Sequence, residues 1–218
     1  MIDKWSELKL DKYYELYKIT SNQLMKEEDK IFHTAALLGG VTYNELMDMP
    51  LVEAEGMIKS ASFLYQRPNP KKVKKEYILN GRTYTLLREP SEMSVAQYVD
   101  YNSVIAEKFE EHIPDLLSIM LVPKGKTYNN DYDHNQVIED VKTMDVEEAL
   151  GITDFFLKKY RRLLKRSLLY YEAAIKIAIL KAPKEIRKEL KSKEKELKAA
   201  IDALRTTFGY LSLNALLK

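Results

Sequence analysis

Residues 77–87 read YILNGRTYTLL, and the Asn80-Gly81 pair at their centre constrains the fold more than any other feature of the chain. Asn and Gly both tolerate the positive φ angles that a type I′ turn requires at its two central positions, and the flanking residues are β-prone. The pattern predicts two short antiparallel strands, with Leu79 opposite Arg82 and Tyr77 opposite Tyr84. Leu86 continues the same side, so Tyr77, Leu79, Tyr84 and Leu86 form one aromatic and aliphatic face. A lone hairpin is barely stable in water, so this face needs a cover. Two alternatives follow: it packs on helices of its own chain, or its open edge is where a neighbouring chain adds on. The four side chains are therefore candidate partner-binding residues.

The rest of the chain reads as helix. Only seven Gly and seven Pro occur in 218 residues, so breakers are rare and their positions are informative. Leu10, Tyr13, Tyr14, Leu16 and Tyr17 suggest the apolar side of a first helix, and a second covers Glu28 to Leu38 before Gly39 and Gly40. Thr42 with Glu45 forms a capping box, and Val41 with Leu46 a hydrophobic staple, predicting a short helix over Tyr43 to Met47. Pro50 opens the next helix towards Tyr65, and RPNPKKVKK from Arg67 to Lys75 reads as a linker. After Pro90, Ser94 and Gln97 make a second capping box at the start of a helix that runs towards Pro114. Asp115 to Val122 is apolar enough for either a helix or a buried strand. Asp145 caps a short helix that Gly151 is expected to end, and Thr153 is expected to cap a long one from Asp154 to Leu180. Beyond Pro183, Leu190, Leu197, Leu204 and Leu211 recur every seven residues, which predicts a C-terminal antiparallel helical pair. The expected fold is mainly α with one small β-hairpin, a helical bundle in three regions: 1–66, 67–150 and 151–218.

Chemistry-bearing motifs are scarce. With no cysteine in the chain, disulfides, thiolate nucleophiles and cysteine metal sites are excluded. His33, His112 and His134 stand far apart and sit in no metal or triad motif. Asp131, Asp133 and Asn135 have the alternation of a calcium loop, but Gln136 stands where that loop needs Gly and Lys142 where it needs Glu. No phosphate-binding or nucleophile-elbow motif occurs, so neither catalysis nor a cofactor or metal is expected. The opening MIDKWSELKLDKYY lacks the apolar segment of a signal peptide, and the most apolar run, Leu168 to Leu180, is interrupted by Glu172 and Lys176. A chain that neither enters the secretory route nor spans a membrane is expected.

Charge adds one further candidate. A formal net charge of +2 leaves no global field to attract polyanions, so any such affinity must be local. KKYRRLLKR at 158–166 gathers Lys158, Arg162, Lys165 and Arg166 near one side of a helix, a candidate contact for phosphates or an acidic protein surface. KKVKK at 71–75 is a smaller cluster. The alternative is a solvated helix face that balances the acidic segment Glu107 to Glu148.

Four segments, GVTYNELMDMPLVEA, YILNGRTYTLLREPSEMSVAQYVDY, LLSIMLVPKGKTYNNDYD and ALGITDFFLKK, together resemble small virion-associated or assembly proteins of tailed phages, particularly crAss-like phages of Bacteroidetes. The likeness spans roughly residues 10–165, and no catalytic motif is part of it. It implies a non-enzymatic structural or cargo protein acting by contact inside the capsid or tail. The alternatives are a tail-assembly chaperone left behind in the host cytoplasm, or a nucleic-acid-binding accessory protein using the helix at 158–166. The partners implied are other phage virion or tail proteins, with homo-oligomer formation a further route, nucleic acid less favoured, and no membrane.

Overall fold

The computed structural model describes residues 1–106, 112–128, 131–181, 183, 186, 189, 191–196 and 198–199. These are mostly helical with one three-stranded antiparallel sheet, in agreement with the expected mainly-α class. Chain contacts divide the molecule into two units, Met1–Leu87 with Ser94–Thr153 and Arg88–Met93 with Asp154–Lys218.

In the first unit, α1 (Leu10–Ser21), α2 (Glu27–Gly39), α3 (Tyr43–Met47) and α4 (Leu51–Ser60) follow one another, and α4 tightens into a 3₁₀ turn at Ala61–Tyr65. Both halves of the Thr42–Glu45 capping box are made, with Glu45 N–H donating to Thr42 Oγ1 at 3.2 Å and Thr42 N–H to Glu45 Oε2 at 2.7 Å. Ala35, Ala36, Leu46 and Ala54 form a small core against which Val41, Phe32 and Met57 pack. The small side chains on α2 and α4 fit the close approach of helices packed in this way.

The hairpin comes next. β1 (Glu76–Leu79) and β2 (Arg82–Leu86) pair in the register expected from the sequence, Tyr77 opposite Tyr84 and Leu79 opposite Arg82. Asn80 (φ 47°) and Gly81 (φ 76°) both take positive φ, as a type I′ turn requires. A third strand, β3 (Leu121–Pro123), closes the other side of β2, with Leu86 opposite Leu121 and Tyr84 opposite Pro123. It follows directly from α6 (Ile113–Met120), so the ambiguous stretch 115–122 is helix first and strand second. The switch falls where Leu87 N–H takes the Met120 carbonyl at 2.9 Å and β2 supplies the strand's partners.

Helix α5 (Val95–Ala106) starts at the second capping box, Ser94 N–H to Gln97 Oε1 at 3.0 Å and Gln97 N–H to Ser94 Oγ at 3.1 Å. The buried Gln97 amide also donates to the Ile119 carbonyl at 3.0 Å, which ties α5 to α6. Helix α7 (His134–Lys142) precedes α8 (Val146–Lys181). The N-terminal segment bridges to the link between them, with Leu10 N–H donating to Met144 O and Val146 N–H to Leu8 O, each at 2.9 Å. Leu8, Leu10, Ile113, Leu116, Leu117, Val141 and Val146 are fully buried, so α1, α6 and the α7–α8 link share the main core.

Two expectations are corrected here. Gly151 does not end a helix and Thr153 does not cap one, because α8 runs through both. A Cβ built on Gly151 would lie 2.3 Å from the Lys71 carbonyl oxygen, so the missing side chain serves a close approach of two backbones. The segment read as a linker passes against that glycine. Asn69 N–H donates to Glu147 Oε1 and Lys71 N–H to the Glu147 carbonyl, both at 3.0 Å. The heptad leucines Leu190, Leu197, Leu204 and Leu211 lie outside the described residues.

In the second unit, a 3₁₀ turn at Pro90–Glu92 carries Glu89 at its N-cap, and Glu89 pairs with Lys159. Phe156, Leu157 and Tyr160 are buried along α8.

Candidate functional site

The turn of the hairpin is held by one carboxylate. Gln136 and Asp140 lie four residues apart on α7 and so share a face, and that face meets the Asn80-Gly81 turn. Asp140, with no exposed surface, accepts from Arg82 Nη1 at 2.8 and 3.0 Å, Asn80 Nδ2 at 2.9 Å, Gln136 Nε2 at 3.0 Å and the Tyr84 hydroxyl at 2.5 Å. Burial works against its charge, but the hydrogen bonds from Tyr84, Arg82, Asn80 and Gln136 outweigh it and hold the carboxyl below its ordinary range. Burial, followed by the bond to this carboxylate, pushes the Tyr84 phenol well above its ordinary value. A carboxylate offers about four acceptor sites, and here donors occupy them. Asp140 is thus a clamp for the turn, with no lone pair left for proton abstraction or attack.

A second polar array ties residues 67–75 to the start of α8. Lys71 Nζ reaches Asp145 Oδ2 at 3.0 Å, Lys74 pairs with Glu148, and Asp145 Oδ1 caps the helix by accepting from Glu148 N–H at 2.9 Å. Acidic side chains in a first helical turn complement the helix dipole and here also neutralise two cations of KKVKK. The bond to Glu148 raises the Lys74 ammonium above its ordinary value.

The structure separates the residues singled out from the sequence. Tyr77, Leu79, Tyr84 and Leu86 are all buried, at 4%, 7%, 1% and 3% exposure. Of the two alternatives for this face, cover by its own chain is the one observed, and each such side chain contributes roughly 1.5–3 kcal/mol through burial. Ile78, on the opposite side of β1, is 76% exposed. Lys158 pairs with Asp154 at 2.5 Å, whereas Arg162, Lys165 and Arg166 are exposed on α8.

The histidines also have local partners. His33 stacks on Tyr43 with centroids 4.3 Å apart, His112 Nδ1 lies 3.3 Å from Asp115 Oδ2, and His134 Nε2 lies 3.0 Å from Ser118 Oγ. Asp133, from the calcium-like loop, caps α7 by accepting from Asn135 N–H at 3.0 Å. Among the described residues no three His, Asp or Glu side chains converge to hold a metal ion.

Two surface features remain. A cleft of about 760 Å³ lies between α1, α6 and α7, where Asp11, Glu15 and Asp115 face Lys18, Lys142 and His112. Its charges are mixed, so it favours neither sign of ligand. On α5, Gln97 and Tyr101 are buried while Val95, Tyr98 and Val99 are 81%, 48% and 54% exposed. Their i, i+3, i+4 spacing makes a single apolar stripe on the outer side of the helix. The stripe was missed in the sequence because MSVAQYVDY has apolar residues on both sides of the helix, and only packing decides which side is covered.

No protein-family model, curated protein or solved structure matches the chain. Among the described residues no helix is long and apolar enough to cross a membrane.

Proposed function

We propose that this chain is a non-enzymatic structural or cargo protein of a tailed-phage virion, carried in the capsid or tail and acting through contacts with other virion proteins. The observation that carries this reading is the exposed α5 stripe of Val95, Tyr98 and Val99. It lies within YILNGRTYTLLREPSEMSVAQYVDY, the longest of the segments that resemble phage virion and assembly proteins. Apolar side chains clustered on a surface mark interaction sites, and tyrosine is among the residues enriched at the energetic centres of protein interfaces. The hairpin supports the stripe indirectly, since Asp140 fixes the turn and Gln97 fixes α5 on α6.

Mass spectrometry of purified particles tests the reading. Stoichiometric presence is expected, while absence from particles despite abundance in infected-cell lysate would identify an assembly chaperone and overturn the cargo role. At the residue level, Tyr98→Lys combined with Val99→Glu should leave thermal stability within about 0.5 kcal/mol of the parent, because both positions are solvent-facing. The same pair should strongly reduce incorporation into particles. Undiminished incorporation would show that the stripe is not the contact surface.

A further inference from the structure

We infer that the cationic face of α8 formed by Arg161, Arg162, Lys165 and Arg166 binds the phosphate backbone of nucleic acid. With Lys158 these residues stand at i, i+3, i+4, i+7 and i+8, which at 3.6 residues per turn places them within an arc of about 140° and along about 12 Å of helix. Arg162, Lys165 and Arg166 are exposed and Arg161 is partly so, while Phe156, Leu157 and Tyr160 are buried.

What sets this face apart is that it is not neutralised among the described residues. Lys158 has Asp154, and Lys159 has Glu89. Among the described residues, none of the other four pairs with a carboxylate. The sequence makes this unavoidable along the helix: positions three and four residues either side of Arg161, Arg162, Lys165 and Arg166 hold only Leu, Lys, Arg or Tyr. Like charges at this spacing destabilise a helix by about 0.2–0.5 kcal/mol per pair, and Arg161 with Lys165 and Arg162 with Arg166 are two such pairs.

The same chain treats other cations differently. Glu189 pairs with Lys193 at 3.4 Å, in a segment where Lys and Glu alternate. A repulsive row kept free of acids is what an external polyanion relieves.

Three of the four cations are arginines, whose planar guanidinium binds phosphate oxygens in pairs. Among the described side chains from 158 to 166, those exposed are all cationic, Lys158, Arg162, Lys165 and Arg166, with no exposed aromatic beside them, whereas protein interfaces combine Arg with Trp and Tyr at their energetic centres. This favours a phosphate backbone over an acidic protein surface. The inference goes beyond the virion role and does not depend on it.

The test is fluorescence anisotropy of a labelled 20-base-pair duplex with the full chain, from about 50 to 200 mM salt. Four phosphate contacts predict a log–log slope of about −3.6, a loss of roughly 150-fold in affinity across that range. R161Q/R162Q/K165Q/R166Q should bind at least tenfold more weakly at the lowest salt and flatten the slope to about −1 or less. K191Q/K193Q/K195Q/K198Q, with the same change in net charge, should behave as the parent. If the first variant loses helix content by circular dichroism, R162Q/R166Q replaces it, with about half the slope expected. Salt-independent or absent binding overturns the inference, as does equal weakening by the control variant. Tighter binding of a polyglutamate peptide than of the duplex would reassign the face to an acidic protein.

Discussion

Asp140→Ala should destabilise the protein by about 3 kcal/mol, at the lower end of the cost of breaking a buried ion pair. For a chain of this size that corresponds to a fall in Tm of roughly 6–12 °C, readable by thermal denaturation. The lower end is expected because Arg82 is half exposed and can turn to water, whereas the buried Tyr84 hydroxyl has no such escape. Tyr84→Phe removes only one donor and should cost about 1 kcal/mol. Tyr84→Lys should unfold the hairpin, since it forces an ammonium into a position with 1% exposure. If Asp140→Ala and Tyr84→Phe proved equally mild, the turn would be held by packing alone.

The same carboxylate sets a pH dependence. Its folded value lies below the ordinary 3.8, so the stabilisation it provides is complete above that value and is lost as pH falls through the lower, folded one. Between about pH 5 and pH 2 the parent should therefore lose more stability than Asp140→Asn, whose carboxamide does not titrate. Parallel decline of the two proteins would exclude Asp140 as the source.

Features set by neighbours in sequence were legible without a structure. The Thr42–Glu45 and Ser94–Gln97 capping boxes involve side chains three residues apart and formed as read. The Asn80-Gly81 turn fixed the strand register, because a two-residue type I′ loop pairs Leu79 with Arg82, and that pairing puts Tyr77, Leu79, Tyr84 and Leu86 on a single face. Features set by distant backbone were not legible. β3 exists because β2 has a free side beside the end of α6, and nothing within Leu121–Pro123 distinguishes it from another helical turn. Asp140 was not legible either, since three of its four donor residues, Asn80, Arg82 and Tyr84, come from the distant hairpin and only Gln136 is local. The α5 stripe depends in the same way on which side α6 covers.

Gly151 illustrates how a residue can be read correctly as unusual and for the wrong reason. A glycine inside a helix ordinarily costs about 0.5–1 kcal/mol relative to alanine, so Gly→Ala is a stabilising change wherever space permits. Gly56, within α4, meets that condition, as nothing lies within 4 Å of a Cβ built there, and Gly56→Ala should stabilise by roughly that amount. At Gly151 the new methyl would stand 2.3 Å from the Lys71 carbonyl oxygen and 3.2 Å from its carbon and nitrogen. These are backbone atoms, held by the bond from Lys71 N–H to the Glu147 carbonyl and by the pairing of Lys71 with Asp145. Relief therefore requires the whole 67–75 segment to move off α8, and the helix-propensity gain is overwhelmed. Gly151→Ala should destabilise by about 1–3 kcal/mol, as overpacked sites do, with Tm falling by roughly 2–12 °C. Because Gly56→Ala and Gly151→Ala are the same chemical change on two helices, opposite signs in thermal denaturation would place the cause in the close approach to Lys71. A stabilised Gly151→Ala protein would instead show that residues 67–75 do not rest on α8.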